Sequence, residues 1–249
     1  MIKTITILTT FFLFSITAGT SFPCTTFLIK DHGELIFGKN YDWNTGTGLL
    51  LVNKSGISKH SFSENQIKWK SKYGSVTFNQ FGKEFPSGGM NEKGLVIELL
   101  WLDETVYPSP DERAQLGILQ WIQYNLDNSA TIQDVIDNDS KIRPQSRSAK
   151  VHYLIADAEG NAASIEFLDG KMVYRSGKDM PFSVLTNSIY DESVNYYYKN
   201  SESNYNKSSF GRFASACRMT TEYNQGKGRV INYGFNIIVG VDKGRVKKW

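Results

Sequence analysis

The sequence predicts an α+β fold in which strands and helices are grouped along the chain and pack in layers. Short segments rich in β-branched and aromatic residues come first, a helical segment lies near the middle, and further strands and then further helices follow. Strict alternation of strands and helices would instead have indicated a parallel βαβ sheet. We expect a leader over residues 1–23 and one domain over residues 24–249, because no internal repeat and no clear linker interrupts the longer part.

The leader has the pattern of a signal peptide followed by a short pro-segment. Lys3 supplies a basic start, residues 5–16 are apolar, and small residues follow. Such a run is too short for a membrane-spanning helix, which needs about 20 residues. The alternative is a buried N-terminal strand or helix. We expect export to the periplasm or the extracellular space, with a first cut after Thr20, since Pro23 disfavours signal-peptidase cleavage directly before Cys24.

The first group of strands is predicted from β-branched and aromatic content and from the turn residues between segments. These strands are CTTFLIK, GELIFGK, GLLLVN, GSVTFNQF and GLVIELLWL. A helix is then predicted over Ser109–Leu126, with Ser109 as N-cap, Pro110 at the first helical position and Glu112 completing a capping box. A shorter helix follows over TIQDVIDN.

The second group of strands is separated by Gly or Asp-Gly turns. Its members are KVHYLIADAEG, NAASIEFLDG, KMVYRSG and PFSVLTNS. The polar segment Tyr190–Ser208 is rich in tyrosine and asparagine, and we expect it to form an exposed loop. Two helices are predicted after it, over Phe210–Tyr223 and Arg229–Val241.

Composition excludes some classes of function. The formal net charge is +3 and the basic residues are scattered, which argues against a nucleic-acid surface. After the leader, no run is long and apolar enough to cross a membrane. The motifs of serine-hydrolase elbows, zinc proteases, Cys-x-x-Cys redox sites and phosphate-binding glycine loops are also missing from the sequence.

The cysteine and histidine residues allow several interpretations. Cys24 and Cys217 could form one disulfide in an exported protein, or Cys217 could be a free buried residue in its helix-like segment. The histidines, His32, His60 and His152, are scattered, so a zinc site or a Cys–His dyad has little support. His152 fits a core or sheet-face position.

A nucleophile without a neighbouring histidine needs another base. The α-amino group of a first residue has a pKa of about 7.7–8.0 and a thiol about 8.5, so the amine can accept the thiol proton near neutral pH. Only the first residue of a mature chain carries such an amine. We therefore predict that Cys24 becomes the first residue and supplies both groups.

Five segments occur in an order that resembles the choloylglycine hydrolase family of N-terminal-nucleophile hydrolases, which includes bile salt hydrolases and penicillin V acylases. The segments are CTTF from Cys24, FGKNYDWN, GGMNEKGLVIELLW, VLTNS and GRFASACR. The resemblance implies a four-layer αββα sandwich. It also implies hydrolysis of a linear, non-peptide amide such as penicillin V, a conjugated bile salt or an acyl homoserine lactone, with no metal or cofactor and often as a tetramer.

The resemblance also assigns roles to residues of this chain. Cys24 matches the nucleophile, and Asp42 matches the aspartate that holds its amine and thiol. Asn187 matches the asparagine whose side-chain amide faces the developing oxyanion. Arg212 matches an arginine near the nucleophile, whose charge favours the thiolate. The backbone N–H of Trp101 matches a second oxyanion donor. Taken singly, these residues could instead be turn, strand-end or surface residues.

The sequence departs from the family pattern at two sites. Lys39 replaces the usual arginine of the FGRN segment, which keeps the charge but loses the planar, bidentate fork. Trp101 replaces the asparagine of bile salt hydrolases. Together with Tyr41 and Trp43 it predicts an aromatic-lined pocket for flat apolar acyl groups, although core positions are the alternative.

Family members usually continue past the position of Trp249 with further strands, so we expect this sheet to lack C-terminal strands. That early stop and Lys39 support a second hypothesis, an inactive exported binding protein on the same scaffold. A serine or metal hydrolase of unrelated ancestry is a third.

Overall fold

The computed structural model describes residues 23–43, 45–63, 67–200, 205–223 and 229–242. The predicted leader, except for Pro23, and the last residues of the chain lie outside these ranges. Their assignment as a signal peptide and as a shortened C-terminus therefore stays a prediction. In the part of the chain that the structure describes, no helix is long and apolar enough to cross a membrane.

The described chain contains 14 strands and five α-helices. The strands are β1 (Thr25–Asp31), β2 (Glu34–Asn40), β3 (Leu49–Asn53), β4 (Ser58–His60), β5 (Lys68–Lys70), β6 (Ser75–Asn79), β7 (Pro86–Asn91), β8 (Val96–Trp101), β9 (Ala114–Gly117), β10 (Ile142–Gln145), β11 (Val151–Ala156), β12 (Ala162–Leu168), β13 (Lys171–Ser176) and β14 (Val184–Leu185). The helices are α1 (Ile118–Asn128), α2 (Ile132–Asp137), α3 (Tyr190–Lys199), α4 (Ser209–Glu222) and α5 (Val230–Val241), with short 3-10 turns at Asn138–Ser140 and Gly177–Asp179.

Two sheets form the centre of the fold. The larger has seven strands in the order β13-β12-β11-β8-β7-β6-β3, and the smaller has three in the order β14-β1-β2. All pairings in both are antiparallel. The remaining pairs are peripheral, with β4 antiparallel to β5 and β9 parallel to β10. Antiparallel pairing lets short turns connect neighbouring strands, which agrees with the Gly-containing turns in the sequence.

The sheets lie face to face, and helices cover both outer faces. Helices α4 and α5 pack on β1 and β2, whereas α1 packs on β7 and β8. Side chains alternate along β8 accordingly: Leu100 enters the core that contains Cys24 and Phe27, and Leu99 enters the core that contains Trp121 of α1. The layer order is helices, small sheet, large sheet, helices. The predicted αββα sandwich is therefore confirmed.

Two predicted elements are wrong. The helix predicted from Ser109 begins at Ile118 instead, because residues 114–117 form β9, which pairs with β10. Its N-cap, Gly117, has no side-chain cap. The segment predicted as an exposed loop from Tyr190 begins with α3, because its aromatic side chains pack against α4.

The other predicted helices agree with the structure. The short helix has its capping box at Thr131 and Asp134, and the two C-terminal helices match α4 and α5 within one residue at each end. The small sheet has three strands, and among the described residues β2 pairs only with β1. Whether further strands belong beside β2 in a longer chain stays a prediction.

Candidate active site

Cys24 lies directly before β1 and is buried, with an exposed fraction of 2%. Both neighbours of β1 bring their ends to this point. Thr25 pairs with Asn40 of β2, and Thr26 pairs with Leu185 of β14. The residues that follow β2 and β14 therefore lie beside Cys24. Strand register, rather than sequence proximity, assembles the site.

Asn187, two residues after β14, contacts Cys24 directly. The backbone N–H of Cys24 donates to Oδ1 of Asn187 at 2.8 Å. The Nδ2 group of Asn187 donates to the backbone carbonyl of Trp101 at 2.9 Å. These partners fix the amide orientation, because Cys24 N is a donor and the Trp101 carbonyl an acceptor. An amide nitrogen carries two hydrogens, so one remains for a ligand.

Arg212 of α4 is buried behind the same residues. Its Nη2 donates to Oδ1 of Asn187 at 2.6 Å and to the carbonyl of Cys24 at 3.3 Å. Its Nη1 donates to the carbonyl of Lys207 at 3.1 Å, and its Nε to Oγ1 of Thr25 at 3.4 Å. Burial lowers the pKa of Arg212, while the charges of Cys24 and Asp42 act in the opposite direction. The guanidinium thus fixes Asn187 and the first residues of β1.

The thiol of Cys24 is surrounded by charges of both signs. Burial raises its pKa above the usual value, and the positive charge of Lys39 opposes this most strongly. A hydrogen bond from the backbone N–H of Asp42 and the charge of Arg212 also lower the pKa, while the carboxylate of Asp42 raises it. The environment therefore holds a neutral thiol that needs a base, with cations placed to stabilise the thiolate once it forms.

Lys39 of β2 is held by a residue that the sequence reasoning missed. Its Nζ donates to Oε2 of Glu98 at 2.6 Å and to the carbonyl of Ser87 at 3.4 Å. It also lies 4.7 Å from the ring centre of Tyr41. Glu98 is the carboxylate of the otherwise apolar strand β8. An acidic residue at such a position is the signal in the sequence that could have identified it.

The aromatic residues predicted for a pocket lie together in the structure. The rings of Tyr41 and Trp43 stack with centroids 6.2 Å apart, and Trp43 lies 6.3 Å from Trp101. The hydroxyl of Tyr41 donates to Gln80 at 2.9 Å, and burial raises its pKa to about 12. Trp101 joins this aromatic cluster to Asn187 through its carbonyl.

His152 is buried in β11, as expected for a core position. Its Nε2 contacts the carbonyl of Thr186 at 2.7 Å, and its Nδ1 contacts Oε1 of Glu166 at 3.2 Å. A carbonyl can only accept, so Nε2 carries the proton. Thr186 precedes Asn187, so this pair supports the turn that carries Asn187. Sequence reasoning did not identify this role, because the residues are far apart in the chain.

The remaining candidates lie outside this cluster. His32 lies in the β1–β2 turn and His60 on β4. Cys217 is buried in α4 and both cysteines are free, so the disulfide alternative is not realised. Within the described ranges, no three His, Cys, Asp or Glu side chains are arranged to hold a metal ion.

A family model and a curated relative both match this chain. Residues 24–231 match the family described as linear amide C-N hydrolases, choloylglycine hydrolase family. A penicillin V acylase of Pectobacterium atrosepticum is 32% identical over 199 residues, which is 71% of this chain and 52% of that protein. This chain thus spans about half the length of the curated relative that it matches.

Solved structures show the same fold. A penicillin V acylase from Agrobacterium tumefaciens superposes with a TM-score of 0.77 at 29% identity, covering 90% of this chain and 74% of that one. A variant of a conjugated bile acid hydrolase from Clostridium perfringens gives a TM-score of 0.76 at 17% identity, covering 90% and 81%.

Proposed function

This chain belongs to the choloylglycine hydrolase family of linear amide C–N hydrolases, and we propose that it is an amidase of N-acyl small molecules with Cys24 as its nucleophile. The observation that carries the proposal is the convergence of Asn187 and Arg212 on Cys24, with Lys39 and Asp42 beside the thiol. Three separate parts of the chain supply these groups, which a purely structural cysteine would not require.

The first step requires a free amine on Cys24. Removal of residues 1–23 gives the nucleophile an α-amino group, which takes the proton from its own Sγ. The sulfur then attacks the amide carbonyl carbon and the carbonyl π electrons move to the oxygen. Asp42 steadies the ammonium formed in this step, and Lys39 and Arg212 favour the thiolate.

The second step collapses the tetrahedral intermediate. The remaining hydrogen of Asn187 Nδ2 and the backbone N–H of Trp101 donate to the oxyanion. Such a donor is worth about 3–4 kcal/mol of barrier. The C–N bond breaks as the ammonium of Cys24 returns a proton to the leaving amine. Water then attacks the acyl-thioester and releases the acid, which restores the thiol.

The aromatic cluster of Tyr41, Trp43 and Trp101 supports a flat apolar acyl group as the part of the substrate that enters the pocket. The relatives named as penicillin V acylases support penicillin V as the first compound to test. We propose further that the protein is exported and processed before it acts, and that it forms a homo-oligomer.

The experiment combines processing and turnover. Intact-mass analysis of the exported protein should give a chain that begins at Cys24. That protein should hydrolyse at least one of penicillin V, glyco- or tauro-conjugated bile salts and acyl homoserine lactones. The Cys24→Ala variant should show no turnover, whereas Cys217→Ala, which changes a buried cysteine of α4, should keep it.

Three outcomes would contradict the proposal. A mature chain that starts upstream of Cys24 removes the amine on which the mechanism depends. Equal labelling of Cys24 and Cys217 by a thiol probe, with no turnover of the panel, would favour the inactive binding protein instead. Chelator-sensitive activity that survives loss of Cys24 would favour an unrelated metal hydrolase.

A further inference from the structure

The buried ion pair of Lys39 and Glu98 lies near the nucleophile, because Lys39 pairs with Thr26, two residues after Cys24. Lys39 Nζ and Glu98 Oε2 are 2.6 Å apart, and the side chains are only 12% and 9% exposed. The strands that carry them belong to different sheets, since Lys39 is on β2 and Glu98 on β8. The pair therefore links the two sheets near the start of β1.

The backbone of β7 leaves space for the Glu98 carboxylate. Gly88 of β7 lies opposite Glu98 of β8. A Cβ atom on Gly88 would lie 1.9 Å from Glu98 Oε2, so no larger residue fits there while Glu98 keeps its place. Burial raises the pKa of Glu98, and the charge and hydrogen bond of Lys39 oppose this. The pKa of Glu98 thus stays above its usual value, and Lys39 is the group that offsets part of the cost of burying the carboxylate.

Lysine needs such a partner more than arginine would. A guanidinium stays protonated in any protein environment, whereas a buried ammonium loses its proton readily when it has no counter-ion. Lys39 also lacks the planar fork that would fix a guanidinium, and its other contacts are the Ser87 carbonyl and the Tyr41 ring. Glu98 is the one anion among these three contacts.

We propose that Glu98 is a positioning residue that holds the ammonium of Lys39 in place near Cys24, so that a lysine can fill the electrostatic role of an arginine. The inference rests on the proposed role of Cys24 as nucleophile. The charged and titratable groups around the thiol are Lys39 of β2, Tyr41 and Asp42 after β2, and Arg212 of α4. Glu98 acts on the thiol through Lys39.

The test measures the reactivity of Cys24 rather than turnover. The rate of Cys24 alkylation by iodoacetamide is followed from pH 5 to pH 10 in the processed protein, with Cys217→Ala as the background. Glu98→Gln should move the midpoint of this profile upward and slow alkylation at pH 7 about tenfold, which corresponds to a one-unit rise in the pKa of the thiol. Glu92→Gln, at an exposed position of the β7–β8 turn, is the matched control and should leave the profile unchanged.

A rescue variant distinguishes an effect of the charge at position 39 from a structural effect of losing Glu98. Arginine stays charged without a partner, so Lys39→Arg combined with Glu98→Gln should return the midpoint to its original value. A merely structural role of Glu98 would leave the double variant as impaired as Glu98→Gln. An unchanged profile for Glu98→Gln would also overturn the proposal.

A double variant that removes both charges tests the proposal if Glu98→Gln alone does not fold. Lys39→Met combined with Glu98→Gln leaves no unpaired buried charge, and such replacements are often tolerated. This variant should show the slow alkylation and the raised midpoint, and an unaltered profile would refute the role of the pair. Failure of the proposed function is distinguishable, because it would appear as absent hydrolysis by the unsubstituted protein with its alkylation profile intact.

Discussion

Arg212 donates a hydrogen bond of 2.6 Å from Nη2 to Oδ1 of Asn187, and this contact fixes which end of the amide faces a ligand. Because Oδ1 is occupied by Arg212 and by the N–H of Cys24, only the nitrogen of Asn187 can reach outward. The buried guanidinium of Arg212 therefore orients the neutral side-chain amide of Asn187. This relationship underlies the first prediction.

We expect Asn187→Asp to lower kcat by about 10²–10³ with little change in KM, because the carboxylate keeps the contact with Arg212 but has no hydrogen to donate to an oxyanion. Steady-state kinetics with the best substrate of the panel would measure this. Asn128→Ala, on α1 at the far face of the large sheet, serves as control. An Asn187→Asp enzyme with normal kcat would exclude the side-chain amide as an oxyanion donor.

We expect Trp43→Ala to raise KM for penicillin V about 3- to 10-fold, because loss of one aromatic contact costs about 0.5–1.5 kcal/mol. Trp43 stands between Tyr41 and Trp101 in the aromatic cluster. Trp43→Phe should retain most of the affinity. If Trp43→Ala left KM unchanged for every phenyl-containing substrate, the cluster would be a structural core and not a pocket wall.

We expect His152→Ala to lower the free energy of unfolding by about 1–3 kcal/mol, because it leaves the Thr186 carbonyl without its buried hydrogen bond and removes one of two partners of Glu166 Oε1, which also accepts from the backbone N–H of Tyr190. Urea denaturation would measure the loss. His60→Ala, at an exposed position on β4, should change stability by less than about 0.5 kcal/mol. Equal effects of the two substitutions would argue against the support of the Asn187 turn by His152.

We expect Lys59→Met to lower the free energy of unfolding by about 3–5 kcal/mol, because Asp127 would remain buried without its cation. Lys59 Nζ lies 2.9 Å from Asp127 Oδ2, and the two side chains are 3% and 0% exposed. Arg175 and Asp191 form an ion pair that is 32% and 49% exposed, so Arg175→Met should cost less than about 1 kcal/mol. Chemical denaturation of both variants tests whether burial decides the effect.

The sequence predicted nine of the 14 described strands, because segments rich in β-branched and aromatic residues recur between turn residues. It did not reveal β4, β5, β7, β9 or β10. Among these, β7 has a Pro and Gly content that is unusual for a strand. Those glycines are explained only by the neighbouring strands, since the Glu98 carboxylate occupies the space above Gly88. Tertiary contact, and not local propensity, decides that segment.

Candidate site residues could be proposed from the sequence where they occur in recognisable segments, as Cys24, Asp42 and Asn187 do, and their catalytic roles stay predictions. It could not be predicted where two distant strands must first be aligned. Glu98 and His152 belong to this second group, because the partners that give them a role are supplied by other strands. A capping box at Ser109 was equally misleading, since the pairing of β9 with β10 overrides it.

The position of Cys24 at the end of β1, with β2 and β14 on either side, has a consequence for the nascent chain. Neighbouring side chains in a strand point to opposite faces, so a slip of one residue in either ladder would separate the Cys24 side chain from the residues that follow β2 and β14. An unfolded or misaligned polypeptide therefore lacks the groups that the folded chain places around this thiol. Under the proposed function, hydrolysis would begin only after both ladders have closed.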